Sequence, residues 1–325
     1  MALLKKLNDF LKSDNDTGFG NNASSYGGRF INKDGSFNIR KEGMSFWKRA
    51  SVYQNMLTIP VLSFVLILVA LFLAINLFYT LIYFSIGSAE FTGMLATSKW
   101  KMFEELFFFS TETFTTVGYG RVNPIGTAAN FVAAIEAMSG FLSFAVVTGL
   151  IYGRFSKPKA YVAFSENALV SPYRGGVGLM FRLVSFKETH IITGAEVKVT
   201  TAFKVDVNGK QEFKFYELPL ERNRVDMLNM NWTVVHPIDE KSPLYGFTQE
   251  DMKNADLEIY VTLKGFDDVF SNTVLTRTSY TFDEIIFDAK FIPMYKESED
   301  GSTTILFLDK LNHFVKVGES AGARR

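Results

Sequence analysis

The chain has 325 residues, 34 basic and 34 acidic residues, three histidines and no cysteine. The lack of cysteine excludes disulfides, thiolate metal sites and cysteine nucleophiles, and the neutral charge balance gives no basic field for a nucleic-acid partner. His190, His236 and His313 lack metal-ligand spacing, so we expect no metal centre built on them. Apolar residues are concentrated between residues 59 and 155, which predicts a membrane part and a soluble part.

Residues 1–40 contain no pattern of a cleaved signal peptide, because residues 1–16 mix charges with leucines and no apolar core follows. The stretch from residue 17 to residue 35 is rich in glycine, asparagine and serine. We therefore expect residues 1–40 to form a mobile, cytoplasmic N-terminal segment.

Residues 41–57 are expected to form an amphipathic helix that lies in the membrane interface. Phe46, Ala50, Tyr53 and Leu57 recur at helical spacing, and polar residues occupy the rest of the helical wheel. An ordinary helix of a soluble domain is the alternative. The adjacent apolar run and a neighbouring tryptophan favour the interfacial helix.

Two apolar runs are long enough to cross a membrane. Residues 59–84 carry no charge and exceed the ~20 residues that a helix needs to span the hydrocarbon core. Residues 125–152 are interrupted by one acid, Glu136, which is costly in a span and therefore indicates a polar partner or contact with water. Basic residues precede the first run and follow the second, so the positive-inside rule predicts a multi-pass protein of the cell (inner) membrane with both termini in the cytoplasm.

Between the two runs, residues 100–114 have an apolar core that is too short to cross the bilayer. Non-helical backbone survives at membrane depth only where protein shields it or where it lines a water-filled path. We therefore interpret this segment as a re-entrant half-helix, followed by an extended strand that lines a pore. Glu136 is expected to lie behind the half-helix, near Thr113 or Thr115.

The strand after the half-helix contains T-V-G-Y-G, which is the standard example of a potassium-channel selectivity filter. Its backbone carbonyls replace the hydration shell of K⁺, and its glycines permit backbone angles that a Cβ would forbid. One strand supplies too few oxygens at each level, so we expect four copies around one axis, a homotetramer. The predicted filter residues are Thr116, Val117, Gly118, Tyr119 and Gly120, with K⁺ bound at the first four.

After residue 157 the pattern changes to short strand-like runs, at residues 161–164, 178–186, 191–199 and 257–263. Asn208-Gly209 is typical of a two-residue hairpin turn. Residues 297–302 are predicted to form another turn. Short strands at this spacing predict an antiparallel β-sandwich.

Together these motifs resemble those of the inward-rectifier potassium channel family, particularly its prokaryotic members. The resemblance covers nearly everything after residue 41 and rests on the pore segment F-F-F-S-T-E-T-F-T-T-V-G-Y-G and the inner-helix end L-I-Y-G-R-F-S-K-P. It also rests on H-P-I-D-E-K-S-P-L-Y-G and T-R-T-S-Y in the soluble half, which generic two-span potassium channels lack.

The resemblance implies an α-helical two-span pore over residues 58–156, with outer, pore and inner helices preceded by a "slide" helix at residues 41–57. An all-β, immunoglobulin-like cytoplasmic sandwich would follow over residues 157–325. The implied function is passive, potassium-selective conduction through a tetrameric pore, with K⁺ as the permeant ion and no cofactor.

The resemblance also implies roles for residues outside the filter. Glu112 would support the filter from behind and pair with Arg121, although an Arg121 that faces outside solvent is the alternative. Gly140 would be an inner-helix hinge, Phe144 would face the central cavity and Tyr152 would form the helix-bundle constriction. An aromatic residue on an inner helix that only packs against its neighbours is the alternative for the last two.

In the soluble half, residues 266–274 would form the loop that narrows the cytoplasmic pore; a plain β-hairpin is the alternative. The resemblance implies that the residues of this loop at the pore are Phe266, Asp267, Asp268 and Ser271. Strong rectifiers of this family hold polycations with acidic residues along the cytoplasmic pore. The positions of this chain that align with those acids are not acidic; they are Thr193, Leu220, Arg224 and Lys264. Asp267 and Asp268 would be the substitute acids.

Five basic residues resemble the family's cluster that binds anionic lipid headgroups, and topology alone is the alternative explanation for their charge. They are Lys48, Arg49, Arg154, Lys157 and Lys159.

Two other classes of protein are weighed against a channel. A membrane-anchored receptor, in which the sandwich binds a ligand, has no need of closely spaced glycines after a half-helix. An enzyme is not favoured, because the sequence has no phosphate-binding glycine loop, serine elbow or metal pair.

Overall fold

The computed structural model describes residues 29–45, 48, 51–207 and 210–317, apart from the side chains of residues 205–207 and 210–212. The chain divides into two compact units. One is Glu42–Lys157, and the other combines Met1–Lys41 with Pro158–Arg325.

The first unit is helical. It contains a short helix α1 (Val52–Thr58), the long helices α2 (Val61–Ile86) and α4 (Thr127–Phe155), and between them the 16-residue helix α3 (Lys99–Phe114). Helices α2 and α4 are long and apolar enough to cross a membrane, which confirms the two predicted spans as helices. A two-stranded ladder of β1 (Phe91–Thr92) and β2 (Asn123–Pro124) joins the loops on either side of α3.

A small core fixes α3 between α2 and α4. Tyr83 of α2 is fully buried, and its ring lies 5.2 Å from that of Phe109 on α3 and 5.6 Å from that of Phe91. Leu106 of α3 and Ala129 of α4 are buried in the same cluster. The predicted half-helix is therefore packed by aromatic contacts along its buried face.

Only part of the predicted amphipathic helix is described. The residues at 46, 47, 49 and 50 lie outside the described part of the chain, so the expected apolar stripe from Phe46 to Leu57 stays a prediction. Helix α1 begins after Ser51, whose hydroxyl accepts a hydrogen bond from the amide of Gln54 at 3.3 Å, as an N-cap does.

The second unit is a sandwich of two five-stranded sheets. Their strands are β3 (Val162–Phe164), β4 (Ala168–Tyr173), β5 (Gly176–Ser185), β6 (Ile192–Val207), β7 (Lys210–Glu217), β8 (Arg224–Leu228), β9 (Trp232–Ile238), β10 (Glu258–Asp267), β11 (Asn272–Thr281) and β12 (Ile285–Phe287). One sheet has the order β11-β10-β6-β7 with β8 also paired to β6, and the other has the order β12-β4-β5-β3 with β9 also paired to β5. Every pairing within these two sheets is antiparallel except β12 with β4.

The two sheets enclose the main core, to which β5 contributes Phe181 and Leu183 and β10 contributes Ile259 and Val261. Helix α5 (Gln249–Asn254) packs its buried Met252 into the same cluster. Four short strands complete the unit: β13 (Ala289–Phe291) pairs with β16 (Phe314–Lys316), and β14 (Tyr295–Glu297) pairs with β15 (Thr304–Leu306).

The predicted strands of the soluble half and one of its two predicted turns are found. The four predicted runs fall in β3, β5, β6 and β10, and a turn links β14 to β15 near residues 297–302. Strands β6 and β7 pair up to Val207 and Lys210, so two residues connect them. Asn208 and Gly209 themselves lie outside the described residues.

The end of the N-terminal segment packs on the sandwich. Phe30 and Ile31 are 3% exposed and share a cluster with Phe213, Phe215 and Tyr260. The Phe30 amide donates to the Glu258 carboxylate, and Arg29 forms an ion pair with Glu284. The expectation of a mobile segment up to residue 40 is therefore wrong for this stretch, because two large apolar residues interrupt its glycine-rich composition. Residues 1–28 lie outside the described part.

Candidate functional site

Helix α3 leads directly into the predicted filter. The amide of Thr116 donates to the Thr113 carbonyl at 3.0 Å, and the amides of Val117 and Gly118 donate to the Glu112 carbonyl at 2.9 and 3.2 Å. These bonds use the carbonyls that would otherwise be left free at the helix C-terminus. The negative end of the α3 dipole therefore lies at the start of the filter, where it favours a cation.

The filter backbone alternates in handedness. Thr116, Gly118 and Gly120 have φ of +60°, +54° and +80°, whereas Val117 and Tyr119 have negative φ. In a regular strand successive carbonyls point to opposite sides, and a change in the sign of φ at every second residue turns them toward one side. A left-handed threonine costs energy that the surroundings must supply, a feature typical of functional sites. The arrangement produces a row of backbone oxygens.

Glu112 and Arg121 are not brought together within this chain. Arg121 instead pairs with Glu105, one Nη to Oε distance being 3.2 Å, and donates to the Gly93 carbonyl at 3.5 Å. The expected pair is wrong for the single chain, because Glu105 is held near Arg121 by accepting a hydrogen bond from the Leu95 amide. The backbone carbonyl of Glu112 accepts the two amide bonds described above, and a supporting role for its carboxylate stays a prediction.

Glu136 lies behind α3, as expected, but its partners differ from those expected. Its carboxylate accepts hydrogen bonds from the Tyr83 hydroxyl of α2 and the Ser110 hydroxyl of α3, each at 2.5 Å. The expected neighbours Thr113 and Thr115 lie further along the chain, and Ser110 is the hydroxyl that α3 presents to the acid. One buried carboxylate thus links three helices.

Two further polar residues of α2 complete this buried cluster. Asn76 Oδ1 lies 3.2 Å from the Ser110 hydroxyl, and the Thr80 hydroxyl donates to the Asn76 carbonyl at 2.6 Å. Both residues are fully buried. Sequence reasoning missed them, although a polar residue in a charge-free apolar run is a signal of a buried partner.

Gly140 permits a close helix contact. A Cβ there would lie 1.9 Å from the carbonyl oxygen of Phe114, the last residue of α3. Helix α4 runs through Gly140 without interruption. In this structure Gly140 is thus a contact point of α4 with the base of the filter, and its role as a hinge stays a prediction.

Phe144 lies near the start of the filter, whereas Tyr152 lies two turns further along α4. Phe144 lines a mainly apolar groove of about 680 Å³ together with Phe114, Thr116 and Gly140. Phe144 and Tyr152 are 74% and 73% exposed in the single chain. Their roles in a cavity and a gate stay predictions.

The predicted cytoplasmic loop is the tip of the hairpin that joins β10 to β11. Asp267 is fully buried, where it accepts bonds from the amides of Val269 and Phe270 and lies 2.8 Å from His190 Nδ1. Its carboxylate therefore ties the hairpin tip, which corrects the suggestion that it is a free pore acid. Asp268, by contrast, is exposed.

The other two named loop residues also lie at the hairpin. Phe266 is 44% exposed, and Ser271 adopts a left-handed φ of +49° in the tight turn.

The basic cluster is divided by the structure. Arg154 donates to the carbonyls of Met56 and Ile59, so its guanidinium caps the C-terminal end of α1. Unpaired carbonyls at a helix end are strong acceptors, so Arg154 has a structural role here, and its binding to lipid stays a prediction. The side chains of Lys48, Lys157 and Lys159 are exposed, and Arg49 lies outside the described residues.

Comparison with known proteins agrees with this geometry. Residues 61–157 match a family described as "Ion channel", and residues 162–322 match the "Inward rectifier potassium channel C-terminal domain". The chain is 34% identical to the inward rectifier potassium channel Kirbac3.1 of Paramagnetospirillum magnetotacticum over 276 residues, which cover 84% of this chain and 91% of that one.

Animal relatives match over a similar length. The mouse and human proteins named ATP-sensitive inward rectifier potassium channel 12 are each 28% identical over 298 residues, covering 84% of this chain and 68% and 67% of theirs. The pore unit and the β-sandwich are thus matched together in one relative. The chain belongs to the inward rectifier potassium channel family.

Proposed function

We propose that four copies of this chain form a potassium-selective channel in the cell membrane, with both chain ends in the cytoplasm. The observation that carries the proposal is the alternating backbone of Thr116, Gly118 and Gly120, which turns carbonyls to one side directly after α3. Carbonyls in this arrangement are suited to replace the water around K⁺ at successive levels from Thr116 to Tyr119.

A homotetramer is proposed because one chain supplies a single row of oxygens and leaves its filter open. Val117 is 53% and Tyr119 is 80% exposed in the single chain. Fourfold symmetry would surround each ion level with four carbonyls and cover both side chains with neighbouring copies.

The proposed gate is at the cytoplasmic end of α4, where the two residues that follow Tyr152 contact α1. A Cβ at Gly153 would lie 3.0 Å from the Tyr53 hydroxyl and 3.3 Å from Leu57, so α1 packs closely on α4 here. With the Arg154 bonds to α1, a shift of α1 at the membrane surface would be transmitted to Tyr152. Anionic headgroups near Lys48 and Lys157 would bias that position.

A membrane-anchored receptor is the second class considered, and no described feature favours it. Ion uptake into liposomes that contain the purified protein distinguishes a channel from a receptor. The proposal expects K⁺ uptake and little Na⁺ uptake, with a rate that changes as anionic lipid is added. Equal, background-level uptake of both ions in every lipid mixture would contradict it.

Weak block by polycations is the first testable prediction. In the row of paired residues that crosses β10, β6 and β8, Lys264 and Arg224 flank the single acid Glu196, so each copy contributes a net positive charge there. Cytoplasmic spermine is therefore expected to give only shallow, weakly voltage-dependent block in planar bilayers. Asp268 is the remaining exposed acid of the hairpin tip.

Two variants set the scale for this measurement. Lys264→Glu should steepen spermine block by placing a ring of acids in the pore, and Asp268→Asn should leave the shallow block unchanged. Steep block of the unmodified channel that disappears in Asp268→Asn would overturn the prediction and identify Asp268 as the blocker's site.

A further inference from the structure

The segment that follows the filter is held by the loop before α3. We name these two stretches, residues 90–93 and residues 121–126, the post-filter brace. Strands β1 and β2 pair within it, Phe91 opposite Pro124 and Thr92 opposite Asn123. The following inference rests on the proposed filter and assigns a role to residues outside it.

Glu90 anchors the brace to the start of the inner helix. Its carbonyl accepts hydrogen bonds from the amides of Ile125 at 2.8 Å and Gly126 at 3.2 Å, and its carboxylate accepts one from the Ala129 amide at 3.2 Å. Gly126, the N-cap residue of α4, has no side chain with which to cap the helix. Glu90 therefore supplies the cap from another part of the chain, and its charge is favoured at the positive end of α4.

Two glycines allow this close approach. A Cβ at Gly126 would lie 1.8 Å from a carboxylate oxygen of Glu90, and a Cβ at Gly93 would lie 1.7 Å from the Arg121 carbonyl oxygen. Both distances are far shorter than a van der Waals contact. The loop before α3 is thus in direct contact with Arg121, the residue that immediately follows the filter.

Asn123 connects the brace to the filter itself. Its side-chain amide donates to the carbonyl of Gly120, the last filter residue, at 2.6 Å. Gly120 has a φ of +80°, and a Cβ there would have no atom closer than 4.0 Å, so side-chain packing does not fix the direction of this carbonyl. Backbone pairing to Thr92 fixes where Asn123 stands.

We propose that Asn123 is a positioning residue for the outermost filter carbonyl, and that it sets ion selectivity from a platform anchored by Glu90. A donor placed on the Gly120 carbonyl limits the rotation of the residue that directly follows Tyr119, whose carbonyl forms the outermost K⁺ level. The oxygen spacing at that level then suits K⁺ better than Na⁺. The ion pair of Arg121 with Glu105 holds the same segment from the side of α3.

The test is the K⁺ to Na⁺ permeability ratio of Asn123→Ala, measured from reversal potentials in planar bilayers. Loss of one hydrogen bond is expected to lower the ratio about fivefold. Asn123→Asp keeps the shape of the side chain but has no N–H to donate, and it should show the same loss. If the alanine variant fails to assemble, the permeability ratio of Asn123→Asp still tests the role of this hydrogen bond.

Asn130 offers a matched control. Its side-chain amide donates to the carbonyls of Pro124 and Gly126 in the same segment and makes no bond to the filter. Asn130→Ala should therefore keep the permeability ratio of the unmodified channel. A ratio unchanged in both Asn123 variants, or lowered equally in Asn130→Ala, would overturn the role of Asn123.

Thermal unfolding of the tetramer separates positioning from simple stabilisation. Glu90→Ala should lower the melting temperature in both K⁺ and Na⁺, whereas Asn123→Ala should reduce chiefly the extra stability that K⁺ gives. If Asn123→Ala lowers the melting temperature equally in K⁺ and in Na⁺, the residue only stabilises the fold. If the unmodified channel fails to select K⁺, the proposed function itself fails, which is a distinct result.

Discussion

Gly118→Ala is expected to abolish potassium selectivity while the protein still folds and assembles. Gly118 has a φ of +54°, and a Cβ there would meet no atom within 4 Å. The alanine is therefore penalised by its backbone conformation and not by a steric clash. The cost is about 1–2 kcal/mol for an L residue in the left-handed region. In a tetramer this cost arises four times at the same level of the filter. The backbone would relax to negative φ, and its carbonyl would leave the ion pathway.

Gly175→Ala is the matched control for this change. Gly175 also has positive φ, +84°, and open space around it, but it lies in the turn between β4 and β5. Gly175→Ala introduces the same backbone strain at a position far from the filter in the sequence. Selectivity of the flux for K⁺ over Na⁺ should therefore be retained. Liposome flux that stays K⁺-selective in Gly118→Ala would contradict the assignment of this strand.

The second large effect concerns the buried acid behind the filter. Glu136→Leu is expected to reduce assembly and conduction strongly, because it leaves the buried Tyr83 hydroxyl without its acceptor and the Ser110 hydroxyl with only the two oxygens of Asn76. An unsatisfied buried polar group costs about 1–3 kcal/mol. Glu136→Gln keeps an acceptor oxygen at the same place and should conduct almost as the unmodified channel does.

Thr148→Val controls for loss of a polar group on the same helix. The Thr148 hydroxyl donates only to the Phe144 carbonyl of its own helix, at 2.8 Å, among the described contacts. We expect little change in tetramer stability for this variant, measured by the temperature at which the tetramer dissociates. Equal stability and conduction of Glu136→Leu and Glu136→Gln would show that no polar group is needed at this position.

The elements of both units could be predicted because local pattern determines them. Two apolar runs, a half-helix too short to span and the T-V-G-Y-G strand appear in the structure as α2, α4, α3 and an alternating backbone. The strands of the sandwich follow from short runs of β-forming residues between turns. Each of these signals lies within one continuous stretch of the chain.

Pairings between distant residues could not be predicted in the same way. Arg121 was assigned to Glu112 by resemblance, but Glu105 is held closer by the Leu95 amide. Arg154 was assigned to lipid by resemblance, and its hydrogen bonds to the carbonyls of α1 were not predicted. Phe30 bonds to Glu258 across 228 residues. In each case the three-dimensional fold decides between several partners that satisfy the same chemistry.

The proposed function depends on one property of the chain, selective conduction of K⁺ along Thr116 to Gly120. The most direct test is the zero-current potential of single channels in a planar bilayer with K⁺ on one side and an equal concentration of Na⁺ on the other. We expect a large potential of the sign that K⁺ selectivity requires, reversing in sign when the two solutions are exchanged. A zero-current potential near zero in both arrangements, in a bilayer that conducts at applied voltages, would show an unselective pore and contradict the proposed function.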